Sequence, residues 1–241
     1  MLRLNLSTVK ISLDVKIREP HTHRSQGPSH MSNTPQRARD TYHVGNLAPQ
    51  LLSAAREMLE EVGPTKLSLR AVSERVGVSS TAAYHHYANR AELVGHLAAQ
   101  GFRELGAALR LENGESVGLQ KLRDASLAYF SFARGNPALY QLMFGPESGA
   151  DEMPLEYREA RDKAFGELKR IIAEILGQDV EGAEVRRGAL AAWSYTHGLA
   201  SLVIHGVLQF PESITDARFV DSTLQGFEHL FTACGVGAPQ K

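Results

Sequence analysis

One cysteine and one tryptophan stand in 241 residues, and aromatic residues of all kinds make up only 7% of the chain. The single cysteine, Cys234, excludes an internal disulfide framework and a cysteine-based zinc site, and it fits a reducing cytoplasm. It reads as a small apolar packing residue before a redox sensor. No apolar run reaches the roughly 18 residues that a membrane span needs, so no membrane partner is expected. Excess charge is also missing: 26 Lys and Arg stand against 27 Asp and Glu, a formal net charge of −1. A nucleic-acid partner therefore has to be met by positive charge concentrated locally. There is no phosphate loop, nucleophile elbow or His-Glu-x-x-His pair, so the common signatures of an enzyme are absent, and neither cofactor nor metal is expected. Carboxylates such as Glu156, Glu159 and Asp162 read as a solvated helix face.

What is present suits a soluble globular protein: 43% hydrophobic and 22% charged residues, with a mean hydropathy of −0.24. Residues 1–42 stand apart. They mix polar and β-branched residues, then place Pro20, Gly27, Pro28 and Pro35 among His21, His23 and His30. Without the apolar run and cleavage site of a signal peptide, the segment reads as a disordered tail, or as an upstream extension with Met31 the true start. A solvated tail is favoured over loose metal binding by the three histidines.

Beyond residue 44 the apolar period is helical. Leu47, Leu51, Leu52, Ala55, Met58 and Leu59 mark one face of a first helix that ends near Gly63-Pro64. A short second helix follows Lys66, with Leu69, Val72 and Val76 inward. Gly77 breaks it, Ser79 or Ser80 caps a third helix running to about Tyr87, and Asn89 caps a fourth. Further helices are expected over about 116–134, 138–143, 154–176, 181–208 and 216–233, with a Gly/Pro-rich loop at 145–153. The expected fold class is all-α with about nine helices, in two parts: a three-helix N-terminal helix-turn-helix domain and a helical bundle. The domain limits expected are 43–105 and 106–236.

The chemistry concentrates between Leu67 and Arg90. Two short helices joined by a Gly-containing turn let the second enter a major groove. Ser79, Ser80 and Thr81 open that helix, and Ala82 and Ala83 are short enough for close backbone approach to base edges. Tyr84, His85, His86 and Tyr87 bring hydroxyl and imidazole donors suited to phosphates and bases, although Tyr87 reads first as packing. Adjacent residues on a helix diverge by about 100°, so His85-His86 is not a metal pair. Lys66, Arg70, Arg75 and Arg90 form a basic patch, with Arg90 beside helix-end amides that favour a phosphate.

The order LSLRAVSERVGVSSTAAYHHYANRAELV at 67–94 resembles the TetR family of regulators, and the likeness spans residues 45 to about 105. By position it implies that Ser68, Ser79, Ser80, Thr81, Ala82, Tyr84, His85, His86 and Arg90 line a DNA surface, together with Lys66. Ala82 and Ala83 depart from the family's frequent threonine and leucine, which leaves open the residue that reads bases. YFSFARGNPALYQLMF at 129–144 and AAWSYTHGLASLVIHG at 191–206 resemble the regulatory domain named for its Trp-His-Gly motif, here Trp193, His197 and Gly198. This implies a ligand-binding, dimerising domain, with the last two long helices pairing with their copies. Tyr129, Phe132, Tyr140, Met143, Phe144 and Trp193 are candidates for an apolar pocket with His197 as its polar anchor, and ordinary core packing is the alternative. Ala191, Ser194, Gly198 and Ser201 form a stripe of small residues for close helix approach. Together these features predict a cytoplasmic, homodimeric repressor of palindromic double-stranded operator DNA, released by a hydrophobic or amphipathic effector. A regulator without an effector and an all-helical enzyme are the alternatives.

Overall fold

In the computed structural model, residues 47–111, 116–145 and 153–233 are described. The tail at 1–42, its three histidines, most of the 145–153 loop and Cys234 lie outside them. The described residues form nine α-helices and no strand: α1 (Leu47–Val62), α2 (Leu69–Val76), α3 (Ser80–Tyr84), α4 (Arg90–Leu111), α5 (Leu119–Gly135), α6 (Pro137–Phe144), α7 (Leu155–Leu176), α8 (Ala183–Ile204) and α9 (Asp216–Ala233), with a 3-10 turn at Pro64–Lys66. None of these helices is long and apolar enough to cross a membrane.

Local chemistry sets the boundaries of the N-terminal helices. The Ser68 hydroxyl accepts from the Ala71 N–H and starts α2. Gly77, at φ 79°, closes it: the Gly77 N–H donates to Glu74 O and the Val78 N–H to Ser73 O. A side chain at that φ would be strained, so the sharp turn between α2 and α3 depends on this glycine. Ser79 caps α3 by accepting from the Ala82 N–H, and Asn89 caps α4 by accepting from the Glu92 N–H at 2.8 Å. The sequence suggests that α3 runs on to Tyr87, but it stops at Tyr84. There the His86 and Tyr87 N–H groups both donate to Ala83 O, tightening the chain. The Tyr87 ring then enters the core, where its hydroxyl donates to Ala48 O at 3.0 Å.

The long fourth helix is the spine. Leu93, Val94, Leu97 and Ala98 are buried in the main core near the start of this helix, and Phe102, Leu105 and Leu109 are buried farther along. Each large apolar side chain so buried contributes about 1.5–3 kcal/mol. α7 runs beside α4 in the same direction, joined by ion pairs from Arg103 to Glu156 and Arg110 to Glu167, both at 2.6 Å. Gly101 lets α6 approach: a Cβ there would lie 2.5 Å from Met143 Sδ. One apolar core runs from Leu51 on α1 to Val220 on α9, and a smaller one joins Leu168 and Ile172 of α7 to Val185 and Ala189 of α8.

A second tie joins α1 to α6. No side chain of its own caps α6. Instead the Glu60 carboxylate of α1 accepts from the Ala138 and Leu139 N–H groups at 3.3 and 3.4 Å. Arg56, one turn earlier on α1, donates to Asn136 Oδ1 and pairs with Glu60.

Candidate functional site: a recognition helix and a narrow pocket

The residues expected to meet DNA divide by what their polar groups already do. Ser68 and Ser79 spend a lone pair on capping, which leaves each O–H free to donate outward. Ser80 differs. Ser73 gives its hydroxyl proton to Arg70 O, so the 3.3 Å contact between the two hydroxyls has Ser80 donating, and no proton remains for a phosphate. Thr81, Tyr84, His85 and His86 are exposed, Tyr84 by 52%, and their side chains have no hydrogen-bond partner among the described residues. Ala82 is half-buried. Ala83 is fully buried, so it packs the turn and leaves base approach to its neighbours.

The basic patch is narrower than the sequence suggests. Arg75 is held bidentately by Glu61 of α1 at 2.6 and 2.5 Å, a carboxylate that lies outside the motif window, and the contact lowers the pKa of Glu61. Arg70 pairs with Glu74 at 3.0 Å. Arg90 points inward: Nε donates to Leu67 O at 2.8 Å and an Nη to Pro64 O at 2.6 Å. Two of its donors are held by backbone carbonyls, so it rivets the 3-10 turn and the start of α2 onto α4, a role beyond the phosphate contact that the sequence suggests. Lys66 is exposed and forms no ion pair among the described residues.

The aromatic cluster of the C-terminal half also separates into two layers. An apolar pocket lies between α4, α5, α7 and α8. Of the residues expected there, Tyr129, Phe144 and Trp193 line it. The rest of the wall was not foreseen: Phe102, Leu105 and Leu109 of α4, Leu122, Ala125 and Ser126 of α5, Arg161, Ala164, Phe165 and Leu168 of α7, and Ala192 and Thr196 of α8. Four others fall elsewhere. Met143 packs against Gly101 and Phe132 against the main core. Tyr140 and His197 stand behind the wall in a buried relay.

In that relay the Trp193 N–H donates to the Tyr129 oxygen at 3.2 Å, and the Tyr129 and Tyr140 hydroxyls lie 3.3 Å apart. Both hydroxyls face His197 Nδ1, Tyr129 at 3.0 Å and Tyr140 at 2.6 Å. His197 Nε2 then faces the Ser201 hydroxyl at 3.4 Å. Burial holds His197 below its usual pKa and raises both tyrosines, Tyr129 strongly, so every member is neutral. His197 is thus saturated by its neighbours, and the anchoring role expected of it inside the pocket is not available. The pocket itself has a volume of only ≈ 30 Å³, room for about two water molecules. Among the described residues no group of three His, Cys, Asp or Glu side chains is arranged to hold a metal ion.

This architecture has clear relatives. Residues 51–97 match the family model described as bacterial regulatory proteins, tetR family, and residues 122–227 match that of the tetracyclin repressor-like C-terminal domain. An uncharacterized HTH-type transcriptional regulator of Mycobacterium tuberculosis, Rv0681, is 26% identical over 196 residues, covering 78% of this chain and 84% of that one. A solved structure of a Rhodococcus sp. RHA1 protein of unknown function is 30% identical with a TM-score of 0.65, covering 79% of this chain and 97% of the other. PfmR of Thermus thermophilus, a TetR family transcriptional regulator, shares the fold at 20% identity and a TM-score of 0.53, covering 72% of this chain and 94% of its own. With both halves matched in order, the chain belongs to the TetR family of DNA-binding transcriptional regulators.

Proposed function

We propose that this regulator is a cytoplasmic homodimeric repressor that holds a palindromic operator and is released by a hydrophobic or amphipathic small molecule, without enzymatic activity of its own. The DNA-binding part spans residues 43–105 and the ligand-binding and dimerising part 106–236. The observation that carries the reading is the outward face of the α2–α3 unit. Thr81, Tyr84, His85 and His86 stand exposed there, and Ser68 and Ser79 keep donor protons free at two helix starts. Base edges fall to Thr81 and His85, and phosphates to Ser68, Ser79, Tyr84, His86 and Lys66. Ala82 permits close approach. Ser80 and Arg90 are assigned structural roles first, because Ser80 is engaged with Ser73 and two of the Arg90 donors are used internally.

Dimerisation rests on α8 and α9, where Leu190, Leu202 and Leu230 are exposed beside the small residues Ala191 and Ser194. A two-fold axis there matches a palindromic site.

Release follows from the size of the pocket. A typical small-molecule site holds roughly 300–1,000 Å³, so an effector enters only by parting walls that include Phe102, Leu105 and Leu109 of α4. The same helix carries Arg90, which holds the start of α2. Effector binding therefore selects a state in which α4, and with it the recognition helix, has moved. The small volume also favours a second reading, a regulator that answers to no small molecule. Fluorescence anisotropy on DNA flanking the gene, over a salt series and with Tyr84→Ala as control, tests the core claim. Selective, salt-sensitive binding lost in the variant is expected. Equal binding to unrelated DNA by both proteins refutes it, and unchanged operator affinity under a broad effector screen selects the second reading.

A further inference from the structure

Among the described residues, Arg161 is the one charged side chain in the wall of the α4–α5–α7–α8 pocket. Its position on α7 is anomalous. Tyr157, Ala164, Leu168 and Ile171 are all buried on the face that α7 turns toward the core, and Arg161 occupies the same stripe, one turn past Tyr157. Among the described residues, a guanidinium placed there has its one ionic partner in Asp162, the next residue, and lies 5.8 Å from the centre of the Tyr157 ring. Asp162 lies at 3.1–3.2 Å, and its side chain is 70% exposed. Adjacent positions on a helix do not face each other, so this pair is a solvent-side contact that a better-placed anion displaces. The Arg161 side chain is itself 42% exposed, which places its head at the mouth of the pocket while its stem forms part of the wall.

The interior is of opposite character. From Arg161 to Leu168 the α7 wall runs about 10 Å at the helical rise, faced by Phe102, Leu105 and Leu122. The two hydroxyls within are already engaged: Thr196 donates to Ala192 O at 3.0 Å and lies 3.4 Å from Ser126 Oγ. The polar groups of the lining Tyr129 and Trp193 are engaged with one another and with Tyr140 and His197 behind the wall. Nothing inside asks for a second polar group.

Resting on the reading of this cavity as the effector site, we infer that it takes a single-tailed amphiphile with an anionic head. The tail lies along α7 between α4 and α5, and a carboxylate or phosphate meets the Arg161 fork at the mouth. A planar guanidinium binds either oxyanion through two parallel hydrogen bonds.

The chain's single tryptophan, Trp193, lines the cavity and gives the readout. Full-length protein is titrated with decanoate, decyl phosphate, decan-1-ol and decyltrimethylammonium, each below its micelle threshold, while tryptophan emission is followed. At least one anionic probe is expected to bind roughly tenfold or more tighter than the alcohol, the factor carried by one charge-assisted hydrogen bond. The cation is expected to bind least. Which anion leads separates a carboxylate from a phosphate head. Arg161→Gln should erase the anion's advantage and leave decan-1-ol binding as it was, whereas Arg158→Gln, on the exposed side of the same helix, should preserve it. Equal binding of alcohol and anion, or an anion preference that survives Arg161→Gln, overturns the head assignment alone. Unchanged emission with all four probes overturns the effector reading of the cavity, and this inference with it.

Discussion

Replacing Arg90 by alanine separates two jobs that look alike in the sequence. The structure has both ends of its fork on backbone oxygens, Leu67 O at 2.8 Å and Pro64 O at 2.6 Å, at a half-buried site. A hydrogen bond from a charged donor contributes about 1.5–3 kcal/mol, and two sharing one side chain add incompletely, so the loss expected is about 2–3 kcal/mol. For a chain of this size each kcal/mol moves the melting temperature by about 2–4 °C, so a fall of roughly 5–10 °C is expected. Operator affinity should weaken as α2 loosens, but by the same factor at every salt concentration. A phosphate contact behaves differently. It leaves stability untouched and flattens the salt dependence by about 0.9 per contact, about 1.8 for the two copies in a dimer. Thermal denaturation and a salt series of operator binding, on the same preparations, decide the matter. An unchanged melting temperature with a flattened slope refutes the rivet.

Three further outcomes are expected. Glu60→Ala removes the carboxylate that caps α6 from another helix, which should cost about 1 kcal/mol by thermal denaturation. Leu202→Glu, on the exposed face of α8, should turn the dimer into monomers by analytical ultracentrifugation. Operator affinity should fall by about a hundredfold or more as the two half-sites cease to be linked. Because burial lowers the pKa of His197 below 6.5, the unfolded chain binds its proton first as the pH drops. The contribution of His197 to stability is therefore complete above about pH 6.5 and declines below it. Urea denaturation midpoints between pH 5 and 8 should show this slope, and His197→Gln should flatten it.

The helices were largely legible because their faces repeat and their ends are marked. Gly77, Ser79 and Asn89 each terminate or start a helix by a local hydrogen bond that the sequence implies, whereas Ser68 stands out in the sequence only as a DNA-surface residue. What escaped was set by partners far along the chain. Nothing near Arg75 announces Glu61, and nothing near Arg90 announces that two carbonyls more than 20 residues earlier will take its protons. Tyr87 ends α3 early because Ala48 waits for its hydroxyl. The pocket was half legible. Aromatic residues in the 129–144 and 191–206 segments marked its neighbourhood, but which of them reach the cavity depends on how α4 and α7 lie beside them. Arg161 did carry a local signal, a charge on an apolar stripe, and the helical period alone makes it visible.

The seam between α1 and α6 bears on how such a protein can be taken apart. Arg56 and Glu60 belong to the part that matches the family's N-terminal model, while the amides and the Asn136 they hold belong to the part that matches its C-terminal model. The two halves are therefore not interchangeable modules. A chimera that joins this body to another regulator's head inherits an uncapped α6 unless the new first helix brings its own carboxylate and guanidinium to the same turn. Transplanting two residues along with the body restores the cap. A functional graft is thus defined by a surface of contact, and a cut made at a point in the chain does not capture it.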